Sequence, residues 1–101
     1  MMLKRQVVVL ARVHAKEGFE AEVERELLAL VAPSRAEGGC INYNLHRSTD
    51  DPALFMFHET WSSREELDRH MSQPSLDAFD ERTESMLAEP VEITFWERLE
   101  P

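Results

Sequence analysis

Two segments of this chain are apolar on both of the faces that an extended strand presents. In Gln6 to Lys16 (QVVVLARVHAK), Val7, Val9, Ala11 and Val13 fall on one side and Val8 and Leu10 on the other. Ala53 to Trp61 (ALFMFHETW) repeats the pattern, with Phe55, Phe57 and Trp61 opposite Leu54 and Met56. Side chains alternate along a strand, so a strand with one wet face reads apolar, polar, apolar. Loss of that alternation means that both faces are buried. One layer of helices covers only one face, and the other would then be an apolar patch larger than soluble monomers usually expose. A second copy of the chain is the economical cover, because most soluble oligomers are symmetric. The expectation is a homodimer joined through the sheet face.

The chain has 101 residues, enough for one core and hence a single domain over 1–101. Glu17-Gly18 breaks the first strand, and a helix is predicted from about Phe19 to Ala36. There Phe19, Val23, Leu27, Leu30 and Val31 lie within about 120° of arc. Pro33 should kink the last turn of that helix, and Gly38-Gly39 should end it. Cys40 to Arg47 alternates, with Ile41, Tyr43 and Leu45 facing one way and Asn42, Asn44 and His46 the other. Ser48 to Pro52 is turn chemistry. Ser63 with Glu66 forms a capping box for a second helix. Gln73-Pro74-Ser75 punctuates it, and a third helix runs to about Leu87, with Leu76, Phe79, Thr83, Met86 and Leu87 on one face. Pro90 to Leu99 is the fourth strand. The order β-α-β-β-α-α-β predicts an α+β, ferredoxin-like subunit with a four-stranded antiparallel sheet.

With 20 acidic and 11 basic residues the surface is acidic. It repels phosphates and carries no basic stripe, which argues against nucleic acid and anionic membrane as partners. Cys40 is the only cysteine, so no intrachain disulfide and no thiolate metal cage can form. The N-terminal segment reads as a strand and not as a signal peptide. Nowhere do about 18 apolar residues run together, so no spanning helix is expected. The cytoplasm is the default location.

There is no Gly-rich phosphate loop, GxGxxG, CxxC or HExxH. His14, His46, His58 and His70 show no metal-ligand spacing. No serine sits in a nucleophile elbow, and Cys40 has no evident base beside it and reads as a small buried hydrophobe. His70 is the best single candidate for proton chemistry, because it shares a helical face with Leu67 and Met71 and so points at the sheet. The plainer alternative is a core histidine bonded to a carbonyl or carboxylate. Glu59 shares its strand face with Phe57 and Trp61, where a carboxylate is partly desolvated. It would act as a general base or orient His70, unless it merely pairs with Arg12 or Arg64. Trp61, Tyr43, Phe55, Phe57 and Phe79 could line a flat substrate pocket for a small aromatic ligand, although aromatic clusters are more often plain core.

The runs Glu37-Gly38-Gly39-Cys40-Ile41-Asn42-Tyr43, His58-Glu59-Thr60-Trp61, Leu67-Asp68-Arg69-His70 and Gln73-Pro74 together resemble the antibiotic biosynthesis monooxygenase family. The likeness covers nearly the whole chain, and its motifs specify the family more than the substrate. It implies a dimeric α+β barrel of ferredoxin-like subunits. Polyketide anthrone oxygenases and quinol monooxygenases of this kind use dioxygen without metal, flavin or haem, so no cofactor is expected. The electron-rich phenol itself supplies the electrons once deprotonated, inside a dry aromatic pocket. This chain departs from the pattern in having Pro74-Ser75 where many relatives have Pro-His. It also has Ala11 where haem-degrading relatives carry asparagine, which ranks haem degradation low. The favoured reading is a cofactor-independent monooxygenase of a quinol- or anthrone-like compound. Its rivals are a non-enzymatic ligand-binding or stress-response module and an autoinducer-type sugar-phosphate isomerase.

Overall fold

In a computed structural model that describes residues 5–101, β1 (Val7–His14) pairs antiparallel with β3 (Leu54–Trp61) along its whole length. Residues 1–4, on which the signal-peptide reading partly drew, lie outside the described residues. Residues opposite one another on antiparallel strands share a face. Val7, Val9, Ala11 and Val13 therefore stand beside Trp61, Glu59, Phe57 and Phe55. β2 (Cys40–Arg47) adds to β3 and β4 (Glu92–Trp96) to β1, giving one antiparallel sheet in the order β2-β3-β1-β4.

Helices α1 (Glu20–Leu28), α2 (Val31–Arg35), α3 (Arg64–Met71) and α4 (Pro74–Thr83) complete the α+β, ferredoxin-like subunit, with a short 3₁₀ turn, Glu84–Met86, after α4. Val23 and Leu27 of α1, Leu67 of α3 and Phe79 of α4 join Val9, Val13, Phe55, Phe57 and Trp61 in one core. All those strand residues belong to the same sheet face, so the helices cover that face. Val8, Leu10, Leu54 and Met56 of the opposite face are half-buried and stand outside this core. On that side Trp96, the cross-strand neighbour of Val8, is 55% exposed.

The single first helix expected over 19–36 is two helices. Pro33 has no N–H to donate to the carbonyl of Ala29, and its ring crowds that carbonyl, so the break falls at Ala29-Leu30 and not in the last turn. Leu30 N–H closes instead on Leu27 O at 3.1 Å, and α2 restarts with Pro33 in its first turn, where a missing donor costs little. Phe19 precedes α1 and is 36% exposed, not part of the buried face. Ile41 also departs from expectation. A bulge between Cys40 and Asn42 puts Cys40 opposite Trp61 and leaves Ile41 52% exposed, while Tyr43 and Leu45 keep the helix-facing side. The fourth strand is shorter than predicted, because β4 pairs only with β1 and the ladder ends at Val8↔Trp96.

Only half of the expected capping box forms. Ser63 Oγ accepts from Glu66 N–H at 3.3 Å, but the Glu66 carboxylate turns to Arg69. Gly39 explains where the Glu66 side chain lies: a Cβ at position 39 would sit 2.3 Å from Glu66 Cβ. Neither Gly38 nor Gly39 takes a left-handed conformation, so the pair does not cap the helix as expected; close approach is what residue 39 needs. Gly39→Ala should cost about 1–3 kcal/mol in urea unfolding, as overpacking does. Gly38→Ala, with open space around the added carbon, should stay within about 0.5 kcal/mol of wild type. Equal effects of the two changes would refute the close-approach account.

Candidate functional site

α3 presents Leu67 and His70 inward, and both are buried. The His70 ring lies against Trp61, with centroids 4.3 Å apart, and meets Tyr43 edge-on at 5.6 Å. Its Nδ1 is 2.8 Å from Oε2 of Glu37, in the turn between α2 and β2. A carboxylate only accepts hydrogen bonds, so this contact keeps a proton on Nδ1 and leaves Nε2 as the basic nitrogen of the neutral ring. Gln73 Nε2 donates to the other Glu37 oxygen at 3.4 Å, which fixes the carboxylate from behind. His70 is thus a buried histidine bonded to a carboxylate, but the carboxylate is Glu37.

Glu59 is 5% exposed and pairs with neither Arg12 nor Arg64. Arg12 reaches Glu89, and Arg64 reaches Asp68 while lying over the Phe95 ring. Trp61 Nε1 donates to Glu59 Oε1 at 2.9 Å. Burial raises the Glu59 pKa above its ordinary value; the Trp61 hydrogen bond and the nearby His70 oppose that rise, and Glu37 adds to it. Tyr43 is held strongly as the neutral phenol, first by burial and then by the charge of Glu59, while a hydrogen bond with Ser34 works the other way. The Cys40 thiol is also pushed up, by burial and then by Glu37 and Glu59, which keeps it a poor nucleophile.

An open cavity of about 580 Å³ separates the sheet from α3 and α4, within the usual size range of small-molecule sites. Tyr43, Phe57, Phe79, Glu59 and His70 line it, five of the seven residues expected at the site. Phe55 and Trp61, 1% and 0% exposed, do not; they form the packed layer behind the wall. His70 borders this space, and the hydrogen bond it makes among the described residues runs through Nδ1 to Glu37 and not through Nε2. The remaining histidines stand apart. His58 accepts from Asn42 Nδ2 at 3.0 Å on the other sheet face, His46 sits near Met56 O, and His14 lies between Asp51 and Glu89. Among the described residues no three His, Cys, Asp or Glu side chains are grouped to hold a metal ion.

Sequence reasoning gave no role to Glu37, Gln73 or Ser34. Glu37 stands 33 positions from His70, and no local period links them. The available signal was a carboxylate directly before Gly38-Gly39, where the chain turns into the aromatic strand.

Residues 6–82 match the family described as antibiotic biosynthesis monooxygenase. "Putative monooxygenase Rv0793" of Mycobacterium tuberculosis is 33% identical over 88 residues, 87% of this chain and 86% of that protein. "Uncharacterized protein sll1783" of Synechocystis is 31% identical over 90 residues, covering 89% of this chain but only 61% of that longer relative. The crystal structure of PA3566 from Pseudomonas aeruginosa superposes with a TM-score of 0.91 at 36% identity, over 99% of this chain and 100% of that one. No helix among the described residues is long and apolar enough to cross a membrane.

The raised Glu59 pKa has a definite sign for stability. Between the model-compound value of 4.5 and the higher folded value, the native chain binds more protons than the unfolded one. Stability therefore falls as pH rises through that window, and the full cost persists above it. Glu59→Gln keeps an acceptor for Trp61 and removes the charge. Its melting temperature should exceed that of wild type at pH 7, and the gap should close as the pH approaches 4. A variant less stable than wild type at pH 7 would contradict this account.

Proposed function

The chain belongs to the antibiotic biosynthesis monooxygenase family, and from that premise and the chemistry of its cavity we propose that it is a cofactor-independent monooxygenase of a small quinol- or anthrone-like aromatic. The observation that carries this reading is His70, whose Nδ1 is tied to Glu37, which leaves Nε2 as the basic nitrogen of a ring that borders an aromatic cavity. Such a nitrogen takes a proton from an acidic C–H or phenolic O–H brought against it. The anion of an electron-rich aromatic gives one electron to dioxygen, and the resulting ring radical and superoxide join through a new C–O bond. The imidazolium returns its proton to form a hydroperoxide, which loses water to leave a carbonyl. For an anthrone the balance is a methylene plus dioxygen going to a ketone plus water.

Tyr43, Phe57 and Phe79 would hold the ring, with Trp61 and Phe55 supporting them from behind. Glu37 acts as a positioning residue, fixing the tautomer and stabilising the imidazolium. Glu59, with its raised pKa, would serve as a second proton carrier near the ring. The apolar outer sheet face, centred on Val8, Leu10, Leu54 and Met56, supports a homodimer joined through that face. One domain and a cytoplasmic location complete the reading.

Oxygen uptake with a panel of hydroquinones and anthrones tests the activity. His70→Ala should lower kcat by about 10²–10⁴-fold with the fold retained. Glu59→Gln should lower it by at least the lower end of that range. His46→Ala, on the opposite sheet face, should turn over like wild type. Wild-type turnover in His70→Ala would end the assignment, and ligand binding with no oxygen consumed would favour a binding module. Sedimentation at micromolar concentration should give a dimer; a stable monomer would remove the sheet-face interface.

A further inference from the structure

We propose that the outer sheet face carries a second small-molecule site, selective for a flat aromatic carboxylate, where Arg98 stands beside the cross-strand row Trp96, Val8, Thr60 and Asn42. The ladders set that row. Val8 pairs with Trp96 on one side and with Thr60 on the other, and Thr60 pairs with Asn42. The row crosses all four strands at the end of the sheet where β1 begins and β3 ends. A cleft of about 470 Å³ lies on it, bounded also by Gln6, His58, Glu97 and Arg98, and is within the size range of small-molecule sites. No residue lines both this cleft and the cavity beside His70, so the two are separate.

The chemistry of the lining points to an anion with a flat body. Asn42 Nδ2 lies 3.0 Å from His58 Nδ1 and 3.1 Å from His58 O. A carbonyl oxygen only accepts, so the amide nitrogen donates to both, and the neutral His58 ring carries its proton on Nε2. His58 thus borders the cleft as a hydrogen-bond donor, alongside the Thr60 hydroxyl, the Gln6 amide and Arg98. Glu97 is the one carboxylate of the described lining, and Arg5 holds it at 2.8 Å. Arg98 has no ion-pair partner among the described residues, and its planar fork matches a carboxylate in two contacts. On a chain of net charge -9, cations therefore outnumber anions at this spot, Arg5 and Arg98 against Glu97. Trp96 supplies the flat wall. Its Nε1 donates to Thr94 at 2.8 Å, so the polar end of the side chain is satisfied and the ring, 55% exposed, is left to stack on an aromatic body. A second copy packed on Val8, Leu10, Leu54 and Met56, as proposed above, would roof the cleft, whose polar groups would then need partners that an occupant supplies.

Titration calorimetry of the whole chain with 2-naphthoate, its neutral amide and inorganic phosphate reads the site. The naphthoate should bind about ten-fold or more tightly than either, because the amide lacks the charge for Arg98 and phosphate lacks the ring for Trp96. Arg98→Gln should erase the advantage over the amide, and Trp96→Ala the advantage over phosphate. Both side chains are exposed, so neither change should disturb the fold. In NMR of the imidazole nitrogens, His58 should shift with occupancy while His70 stays unmoved. Absent binding, equal binding of naphthoate and its amide, an advantage that survives Arg98→Gln, or saturable shifts at His70 would each overturn the proposal. His70→Ala, which disables the proposed chemistry of the other cavity, should bind naphthoate like wild type. Failure of the oxygen-uptake assay therefore leaves this site standing, and failure of the naphthoate titration leaves the oxygenase reading untouched.

Discussion

The eight-residue ladder between β1 and β3 decides where every other group in this molecule can go. Because side chains alternate along both strands, a slip of one residue would exchange the two faces completely. The native register puts Val9, Ala11 and Val13 with Phe55, Phe57, Glu59 and Trp61, and it is this side that α1, α3 and α4 cover. One carboxylate is thereby carried into an apolar layer by parity alone. Val8, Leu10, Leu54 and Met56 are sent the other way by the same parity. The polar centre and the uncovered apolar face are thus two consequences of one register.

Burying Glu59 is costly, and the structure limits the cost with few groups. Trp61, two residues along the same strand face, supplies an N–H to one oxygen, and the His70 imidazole lies close enough to favour the charge. Glu37 works against this, since it repels Glu59 while claiming the His70 Nδ1. One imidazole therefore stands between two carboxylates, bonded to one and sensed by the other. Protonating His70 relieves both, whereas removing a proton from Tyr43 would add a third negative charge to the cluster. Burial and the Glu59 charge keep Tyr43 a neutral phenol beside them.

Periodicity made most of the fold legible. The doubled apolar faces of β1 and β3, the Ser63 cap and Pro74 at the start of α4 are all local signals, and each reports a local cause. The misses share a different origin. The break at Ala29 follows from a carbonyl that Pro33 cannot reach four residues later, so the effect appears upstream of the residue that produces it. The Cys40–Asn42 bulge preserves a clean alternation in the sequence while shifting Ile41 out of it. At the site, His70, Glu59, Tyr43, Phe57 and Phe79 were legible because a helical or strand face aimed each of them at one layer. Glu37 was not, because it lies in a turn with no face to assign. Its role depends on Gly39 letting α3 come close enough for His70 to reach it.

Trp61 shows why a residue need not touch a cavity to shape it. Its ring lies at 4.3 Å from His70 and its Nε1–H holds Glu59, so the two polar groups of the wall are both referenced to one fully buried side chain. A tryptophan packed on all sides has few alternative rotamers, which makes it a rigid reference where a surface residue would not be. The strand fixes Trp61, Trp61 orients the carboxylate and the imidazole, and Glu37 from the α2–β2 turn sets the imidazole's proton. Helix, strand and turn therefore converge on His70 from three directions, and α4 closes the space with Leu76 and Phe79.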